Sequence, residues 1–517
     1  MSNQASDNNK RIAKNTLLLY FRMLFMMVVS LYTSRVILNT LGIVDFGINN
    51  VVGGVITMLG FLTGSLSSAS SRYITFDLGK GDMRVMKNTF GNIKSIHYIL
   101  AGIILLVGET IGLWFMSNKL QIPAERETAA MWVYQFSILS SMLSVLSAPY
   151  NAAIIAHEKM SAFAYISIID VVLKLLIVYA LVVIPYDKLI VYVLLFFCIQ
   201  LFDRIVYGVY CYRHFEETRV KPSYNSKLFK EIFVYAGWTM NGNLAVIGFT
   251  QGINILLNMF FGPAVNAARG IAVQVQTVCQ NFCTNFQMAV NPQLTKSYAQ
   301  GNLAYMHQLL VKSSKFSFFI LFMITLPLMF EAKTVLTLWL GVVPEHTVNF
   351  LRLILITGIL YTLSNPICTA IHATGNIKRF QIIEGTLLLL IVPIAYILLK
   401  FFHIRPEYVF LVHIVVELFT QIVRLKIVLP QIEMKLMLYI KTVVLPIGSI
   451  VLLAPVIPYF IGKYINEGLT SFFVISAACV ISTSIMILSL GCTASERAYI
   501  MCILKKRIFN KKIMFYE

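Results

Sequence analysis

Apolar stretches of about 20 residues recur along almost the whole chain, and this pattern constrains the fold more than any other feature. Only 13% of the 517 residues are charged, whereas soluble proteins carry about 25%. Too few charged side chains are present to coat several soluble domains. A water-soluble enzyme is therefore excluded, and we predict an all-α polytopic membrane protein.

The apolar stretches predict about fourteen transmembrane helices, because one bilayer crossing takes about 20 residues. The second and eighth of them are predicted near 46–70 and 265–290. The helices form two pseudo-symmetric lobes of six and a final pair. The predicted organisation is an N-terminal six-helix lobe over 1–211, a cytoplasmic linker over 212–231, a C-terminal six-helix lobe over 232–425, two additional transmembrane helices over 426–490 and a basic cytoplasmic tail over 491–517.

The excess of basic residues indicates how the chain is oriented in the membrane. Lys and Arg number 42 against 23 Asp and Glu, which gives a formal net charge of +19. With the N-terminus inside, the inner segments hold 29 of the basic residues and the outer loops hold seven. Because inner loops are enriched in Lys and Arg, both termini are predicted to be cytoplasmic. The basic charge then requires no nucleic-acid partner, and a bacterial inner (cytoplasmic) membrane is the expected location.

Signals for catalytic or metal chemistry are missing from the sequence. The eight cysteines are scattered without a C-x2-C pair, so neither a disulfide framework nor a zinc site is expected. No phosphate-binding G-x-x-x-x-G-K-[ST] loop occurs. The chain is therefore predicted to be no enzyme and to use no cofactor beyond a coupling ion, H+ or Na+.

The two sets of six helices match each other at a nearly constant offset, which indicates an internal repeat. At an offset of 220, the Gly81-Asp82 turn meets Gly301-Asn302. At an offset of 217, the pattern P-x3-A-I-x-A that begins at Pro149 meets the one that begins at Pro366. Because six is even, both halves enter the membrane in the same direction. Repeats of this parallel kind enclose a substrate path between their halves.

Ionisable residues inside predicted helices are the first candidates for function, since each costs about 2.5–3.5 kcal/mol to insert. The basic candidates are Arg22, Lys174 and Arg269, and the acidic candidates are Asp170 and Glu417. Asp170 and Lys174 are spaced i,i+4, so they can also form a simple neutralising pair. Asp203 and Arg204, near the inner end of the sixth helix, are expected to pair with each other at the membrane interface.

Amide side chains form stripes on the seventh and eighth predicted helices. On the seventh, Gln251, Asn254 and Asn258 lie at i, i+3 and i+7 on one helical face. On the eighth, Gln276 and Gln280 follow Arg269 at spacings of seven and four. Lipid offers amides no hydrogen-bond partner. The stripes therefore face either other helices, as polar glue, or a wet cavity, in which amides suit sugar hydroxyls.

The stretch from Arg35 to Gly47 follows the pattern R-x-I-L-x-x-L-G-x-x-D-F-G. Together with the six, six and two arrangement and the polar eighth helix, it resembles the polysaccharide biosynthesis transporters. More closely, the chain is similar to the repeat-unit flippases for O-antigen (lipopolysaccharide) and capsule, within the multidrug/oligosaccharidyl-lipid/polysaccharide exporter superfamily. The resemblance implies two lobes around a central cavity that alternates between inward-open and outward-open states.

The resemblance also implies a cargo and roles for the candidate residues. The expected cargo is an undecaprenyl-diphosphate-linked oligosaccharide, moved from the inner to the outer leaflet, with membrane lipids and a polysaccharide polymerase as further partners. Arg22 and Arg269 occupy positions comparable to the diphosphate-binding arginines of related lipid II flippases. With Lys174 they would bind the diphosphate, the amides would hold sugars, and Asp170 or Glu417 would exchange H+ or Na+. Two alternatives remain: a cation-coupled multidrug antiporter, and a non-transporting scaffold of a polysaccharide assembly complex.

Overall fold

The computed structural model describes residues 2–57, 60–119, 122–340, 342–465 and 468–498, and within these ranges every regular element is helical. The predicted basic tail lies outside the described residues from 499 onward. The α-helices are α1 Ser2–Thr57, α2 Gly60–Lys80, α3 Met83–Val107, α4 Leu113–Lys119, α5 Glu127–Ala156, α6 Met160–Val183, α7 Lys188–His214, α8 Ser226–Phe261, α9 Pro263–Ala299, α10 Leu303–Phe330, α11 Ala332–Leu340, α12 Thr347–Thr374, α13 Lys378–Leu389, α14 Ile391–Phe402, α15 Glu407–Gln431, α16 Leu436–Tyr439, α17 Leu445–Leu453, α18 Val456–Tyr464 and α19 Leu469–Met486.

The prediction of an all-α polytopic membrane protein is confirmed. Among the described residues, twelve helices are long and apolar enough to cross a membrane, a number compatible with the predicted count of about fourteen. The span predicted near 265–290 falls on α9, whose amides make it less apolar. The first two spans are predicted near 16–38 and 46–70, with a break at 39–45. In the structure α1 continues through these residues to Thr57, and α2 begins at Gly60. Residues 39–45 contain no proline to interrupt α1.

The chain forms two compact units whose boundaries fall inside helices. The first unit comprises residues 1–247, 288–306 and 369–385, and the second comprises 248–287, 307–368 and 386–517. Helices α8, α9, α10, α12 and α13 therefore contribute to both units. The lobe boundaries at 211, 231 and 425 are not tested by this division and stay a prediction.

The turns of the predicted repeat have the same backbone conformation in both halves. Gly81 and Gly301, which match at an offset of 220, have φ angles of 77° and 71°. Glu158 and Gly375, which match at 217, have φ angles of 58° and 80°. The predicted G-[DN] turns are therefore confirmed. A left-handed conformation is rare for residues other than glycine, so the strained Glu158 indicates that this turn is held by its surroundings.

Arg126 ties three segments of the first unit together at its predicted outer side. Its guanidinium donates to both oxygens of Asp45, with Nε 2.8 Å from Oδ1 and Nη2 2.5 Å from Oδ2. Nη1 also lies 2.5 Å from Oδ2 of Asp187. Forked pairs of this kind are geometrically specific. Asp45 belongs to the D-F-G stretch noted above, and its contact with Arg126 gives that stretch a structural role.

Candidate functional site

The ion pair predicted between α6 residues Asp170 and Lys174 is confirmed. Nζ of Lys174 lies 2.8 Å from Oδ2 of Asp170, one helical turn away. The ammonium group also lies 5.3 Å from the ring centre of Phe196 on α7. The other Asp170 oxygen, Oδ1, is buried and has no hydrogen-bond partner. The pair therefore leaves one carboxylate oxygen available inside the helix bundle.

Asp203 on α7 completes this group, although sequence reasoning assigned it to an interfacial pair with Arg204. Its electrostatic neighbours are Asp170 and Lys174, and its own Oδ1 is buried without a hydrogen-bond partner. The guanidinium of Arg204 instead lies 4.4 Å from the ring centre of Tyr150. The approach of Asp203 to Asp170 depends on how α6 packs on α7, and the adjacent Arg204 obscured it. The first unit thus contains an acidic pair with one ammonium group beside it.

Arg22 on α1 lies in the same unit as the acidic pair. Its guanidinium is 4.3 Å from the ring centre of Phe163, and its Nε is buried without a hydrogen-bond partner. Arg22 and Asp203 are both electrostatic neighbours of Tyr207. The first unit therefore contains three of the predicted site residues, Arg22, Asp170 and Lys174, and pairs the last two.

Arg269 on α9 is a buried cation of the second unit. Its Nη1 donates to Oδ1 of Asn254, and its Nη2 donates to the carbonyl of Thr250 at 3.3 Å. Asn254 in turn donates to Oε1 of Gln251 at 3.0 Å. Arg269 is only 7% exposed, and its Nε has no hydrogen-bond partner. The structure therefore brings Arg269 together with two of the predicted amides on α8.

The remaining predicted amides do not form one continuous surface with Arg269. Gln276 and Gln280 face Gly358 on α12, where an added Cβ would lie 3.0 Å from Nε2 of Gln276. Oε1 of Gln280 is buried without a hydrogen-bond partner. Asn258 is exposed near the end of α8. The α9 amides Gln276 and Gln280 pack against a neighbouring helix, as polar glue would.

Glu417 on α15 has an internal counter-charge that the sequence reasoning missed. Oε1 of Glu417 lies 2.5 Å from Nη1 of Arg424 and accepts from Ser364 at 3.1 Å. Arg424, which the sequence analysis counts among the basic residues of the inner segments, is only 3% exposed. Lys315, counted there as well, is also buried, and its Nζ lies 2.9 Å from Oε2 of Glu496. Both cations neutralise carboxylates inside the second unit.

Two related contacts join the predicted halves within the first unit, near the side predicted to be cytoplasmic. In one, Nε of Arg72 on α2 donates to the carbonyl of His372 at 3.1 Å, and its Nη2 donates to Ala373 at 3.2 Å. His372 and Ala373 lie in the last turn of α12. The second half of the chain is thus fastened to α2 of the first.

The reciprocal contact has the roles of the halves exchanged. Nζ of Lys296 on α9 lies 2.8 Å from Oε1 of Glu158, and Nε2 of Gln293 donates to Oε2 at 3.0 Å. Between the two contacts, α2 meets α9 closely, since a Cβ on Gly79 would lie 2.8 Å from that of Ala299. Gly79 and Ala299 are equivalent at the offset of 220. Each contact therefore joins one predicted half of the chain to the other, with the cation on α2 in the first contact and on α9 in the second.

No family model and no curated protein matches the chain. Solved structures do match. An outward-facing multidrug resistance MATE family transporter of the MOP superfamily has a TM-score of 0.67 at 15% identity, over 82% of this chain and 96% of its own. A MOP superfamily transporter from Pyrococcus furiosus, described as having a binding pocket of reverse polarity, has 0.64 at 14%, over 82% and 96%. The MATE transporter ClbM in complex with Rb+ has 0.67 at 13%, over 81% and 94%. The chain therefore has the fold of these transporters.

Proposed function

We propose that the chain is an ion-coupled membrane transporter that works by alternating access. The observation that carries this proposal is the group formed by Asp170, Lys174 and Asp203 inside a fold shared with MATE transporters. Buried ionisable groups within a membrane protein are costly and mark ion or substrate pathways. A purely structural ion pair would need only Asp170 and Lys174, so the carboxylate of Asp203 is not needed to neutralise the pair.

The charge balance of this group supports binding of a monovalent cation. Lys174 neutralises one carboxylate, so the second carboxylate requires a proton or Na+ when both are removed from water. Oδ1 of Asp170 and Oδ1 of Asp203 receive no hydrogen bond from a donor group, and the two carboxyl groups lie within hydrogen-bonding distance of each other, so one proton or Na+ can be shared between them. Binding of the cation would remove the repulsion between the two carboxylates. Where the two carboxylates approach each other more closely in one transporter state than in the other, cation binding shifts the equilibrium between the states.

The contacts on the side predicted to be cytoplasmic would hold the transporter closed on that side. For a substrate path to open toward the cytoplasm, the contacts of Arg72 with α12 and of Lys296 with Glu158 would have to separate. Each contact pairs a cation with a carbonyl or a carboxylate, and such groups are readily rehydrated.

Two cargo classes follow from different observations. The solved structures with this fold include a multidrug resistance transporter, and this likeness favours a cation-coupled multidrug antiporter. Buried Arg269, with its unpartnered Nε, instead favours an anionic cargo such as a diphosphate-linked oligosaccharide. The fold likeness supports the first class at least as well as Arg269 supports the second.

The test uses two assays on the same expressed protein. In a drug-sensitive bacterial host, antiport predicts energy-dependent efflux of a cationic dye that D203N abolishes. In a strain lacking its own repeat-unit flippase, the flippase class predicts recovery of surface polysaccharide, with loss of recovery in R269Q. Retention of full dye efflux and full polysaccharide recovery by both D203N and R269Q would contradict the assigned roles. Absence of both activities in the wild-type protein would favour the scaffold alternative.

A further inference from the structure

A cavity of about 1050 Å³ lies in the first unit, at the side predicted to be cytoplasmic. It is formed by the end of α2, the start of α3, the start of α8 and the turn that precedes α13. None of the intramembrane candidates considered above lines it. Ligand pockets typically measure about 300–1000 Å³, so this space can hold a molecule larger than a simple ion.

The cavity carries an excess of positive charge. Its lining includes five basic side chains, Arg72, Lys80, Lys227, Lys230 and Lys378, against only two acidic ones, Asp77 and Glu231. Asp77 is buried and accepts from Oγ1 of Thr89 at 2.6 Å. The four lysines are exposed. Membrane topology explains why lysines lie on this side, but it does not explain why five cations converge on one cavity.

Aromatic side chains also line the cavity. The guanidinium of Arg72 lies 4.5 Å from the ring centre of Tyr73 and 4.8 Å from that of Phe76. Trp238 also lines the cavity, with Nζ of Lys378 at 5.3 Å from its ring. A cation held against an aromatic face presents charge and a flat apolar surface at the same point. Ligands that match both are phosphorylated molecules with a ring that can stack.

Arg72 is held in place rather than free to move. Its bonds to the carbonyls of His372 and Ala373 fix the guanidinium plane. Gly375, with φ of 80°, makes room for it, since a Cβ there would lie 2.5 Å from Nη2 of Arg72. These two bonds use two of the five N–H donors of the guanidinium. A fixed guanidinium with further donors matches phosphate geometry.

We propose that this cavity binds the diphosphate group of a ligand whose sugar or base ring packs on Trp238 and Tyr73. Arg72 and Lys378 would contact the phosphate oxygens, and the remaining lysines would attract the anion. Two sources carry this chemistry: a lipid-linked sugar diphosphate in the inner leaflet and a soluble nucleotide sugar. Only the lipid-linked source rests on the proposed flippase function; the site itself does not.

Binding is measured on the purified full-length protein in phosphatidylcholine nanodiscs, with inorganic pyrophosphate as the probe and tryptophan fluorescence as the readout. We expect a saturable change that disappears in W238F and needs at least tenfold more pyrophosphate in the double variant K230Q/K378Q. The matched control is K426Q/K435Q, which removes two exposed lysines from the same predicted side but outside the cavity. The control is expected to bind like the wild type. No saturable change in the wild type, or equal losses in both double variants, would overturn the site.

A competition experiment separates the two sources and the two proposals. If a diphosphate lipid in the nanodisc displaces pyrophosphate at a concentration at least tenfold below that of uridine diphosphate glucose, the ligand is lipid-linked. If uridine diphosphate glucose displaces pyrophosphate at the lower concentration, the ligand is a soluble nucleotide sugar. Either result supports a diphosphate site in the cavity. Pyrophosphate binding that is weakened in K230Q/K378Q in a protein without flipping activity would reject the flippase function and retain the site. Flipping activity in a protein that does not bind pyrophosphate in this way would reject the site and retain the flippase function.

Discussion

Lys296 and Glu158 form an ion pair across the predicted repeat, with Nζ of Lys296 2.8 Å from Oε1 of Glu158. Glu158 is almost completely buried and is held in a left-handed conformation. Breaking a buried pair by removing one partner costs about 3–5 kcal/mol, because the other charge is left uncompensated. The pair therefore stabilises the state in which these segments touch.

Charge reversal tests this pair. We expect E158K and K296E each to lower the thermal unfolding midpoint and to reduce transport at least tenfold, since each places like charges side by side. The double variant E158K/K296E restores opposite charges and should recover a substantial part of both losses. Additive losses in the double variant would show that the two residues act independently. Purified protein and whole-cell transport supply the two measurements.

Gly375 is predicted to be indispensable for the position of Arg72. Alanine at a φ of 80° costs about 1–2 kcal/mol in backbone strain, and its Cβ would also collide with Nη2 of Arg72. G301A is the matched control, because Gly301 has a φ of 71° but no atom within 4 Å of an added Cβ. G375A should be less stable than G301A in thermal unfolding. Equal effects would mean that the collision with Arg72 is relieved at no cost.

Asp203 is expected to be needed for ion coupling rather than for folding. D203N removes the charge that lies beside Asp170 and lowers the repulsion within the pair, so the purified protein should be at least as thermostable as the wild type. Transport should lose its dependence on the H+ or Na+ gradient. D82N is the control, because Asp82 is an exposed helix cap and asparagine caps equally well. Unchanged gradient dependence in D203N would assign the coupling ion to another site.

The Arg126 cluster predicts a pH-dependent contribution to stability. Burial would raise the pKa of Asp187, but hydrogen bonds from Arg126 and from two backbone N–H groups bring it below its ordinary value. A carboxylate with a lowered pKa in the folded state stabilises the protein above its unfolded pKa of about 3.9. This contribution is lost as the pH falls through the folded pKa.

The variant R126Q measures that contribution. At pH 7 we expect it to lower stability by about 1.5–3 kcal/mol, the usual range for hydrogen bonds to charged groups. The difference from the wild type should shrink as the pH falls from the unfolded pKa of about 3.9 through the lower folded pKa of Asp187. Thermal unfolding over a pH series gives both values. A difference that stays constant down to acidic pH would mean that steric packing, not charge, dominates at Arg126.

Local spacing and hydropathy account for most of what could be predicted from the sequence. The helices follow from apolar length, and the Asp170–Lys174 pair follows from i,i+4 spacing on one helix. The approach of Asp203 to Asp170, and of Lys315 to Glu496, joins different helices. Such contacts depend on which helix faces pack together, and hydropathy does not encode that choice. The burial of Arg424 was missed because positive charge near a helix end was assigned to topology.

Glu417 illustrates the same limit, and its pairing with Arg424 separates two roles that the sequence left open. If Glu417 is only a structural anion, E417Q should destabilise the protein by about 3–5 kcal/mol, because it removes the negative charge that neutralises the buried Arg424. The double variant E417L/R424L should lose less, since replacing both charges by apolar groups is often nearly neutral. Transport in the double variant would then keep its gradient dependence. Loss of gradient dependence in E417L/R424L, in protein that remains folded, would instead make Glu417 a coupling carboxylate in addition to Asp203.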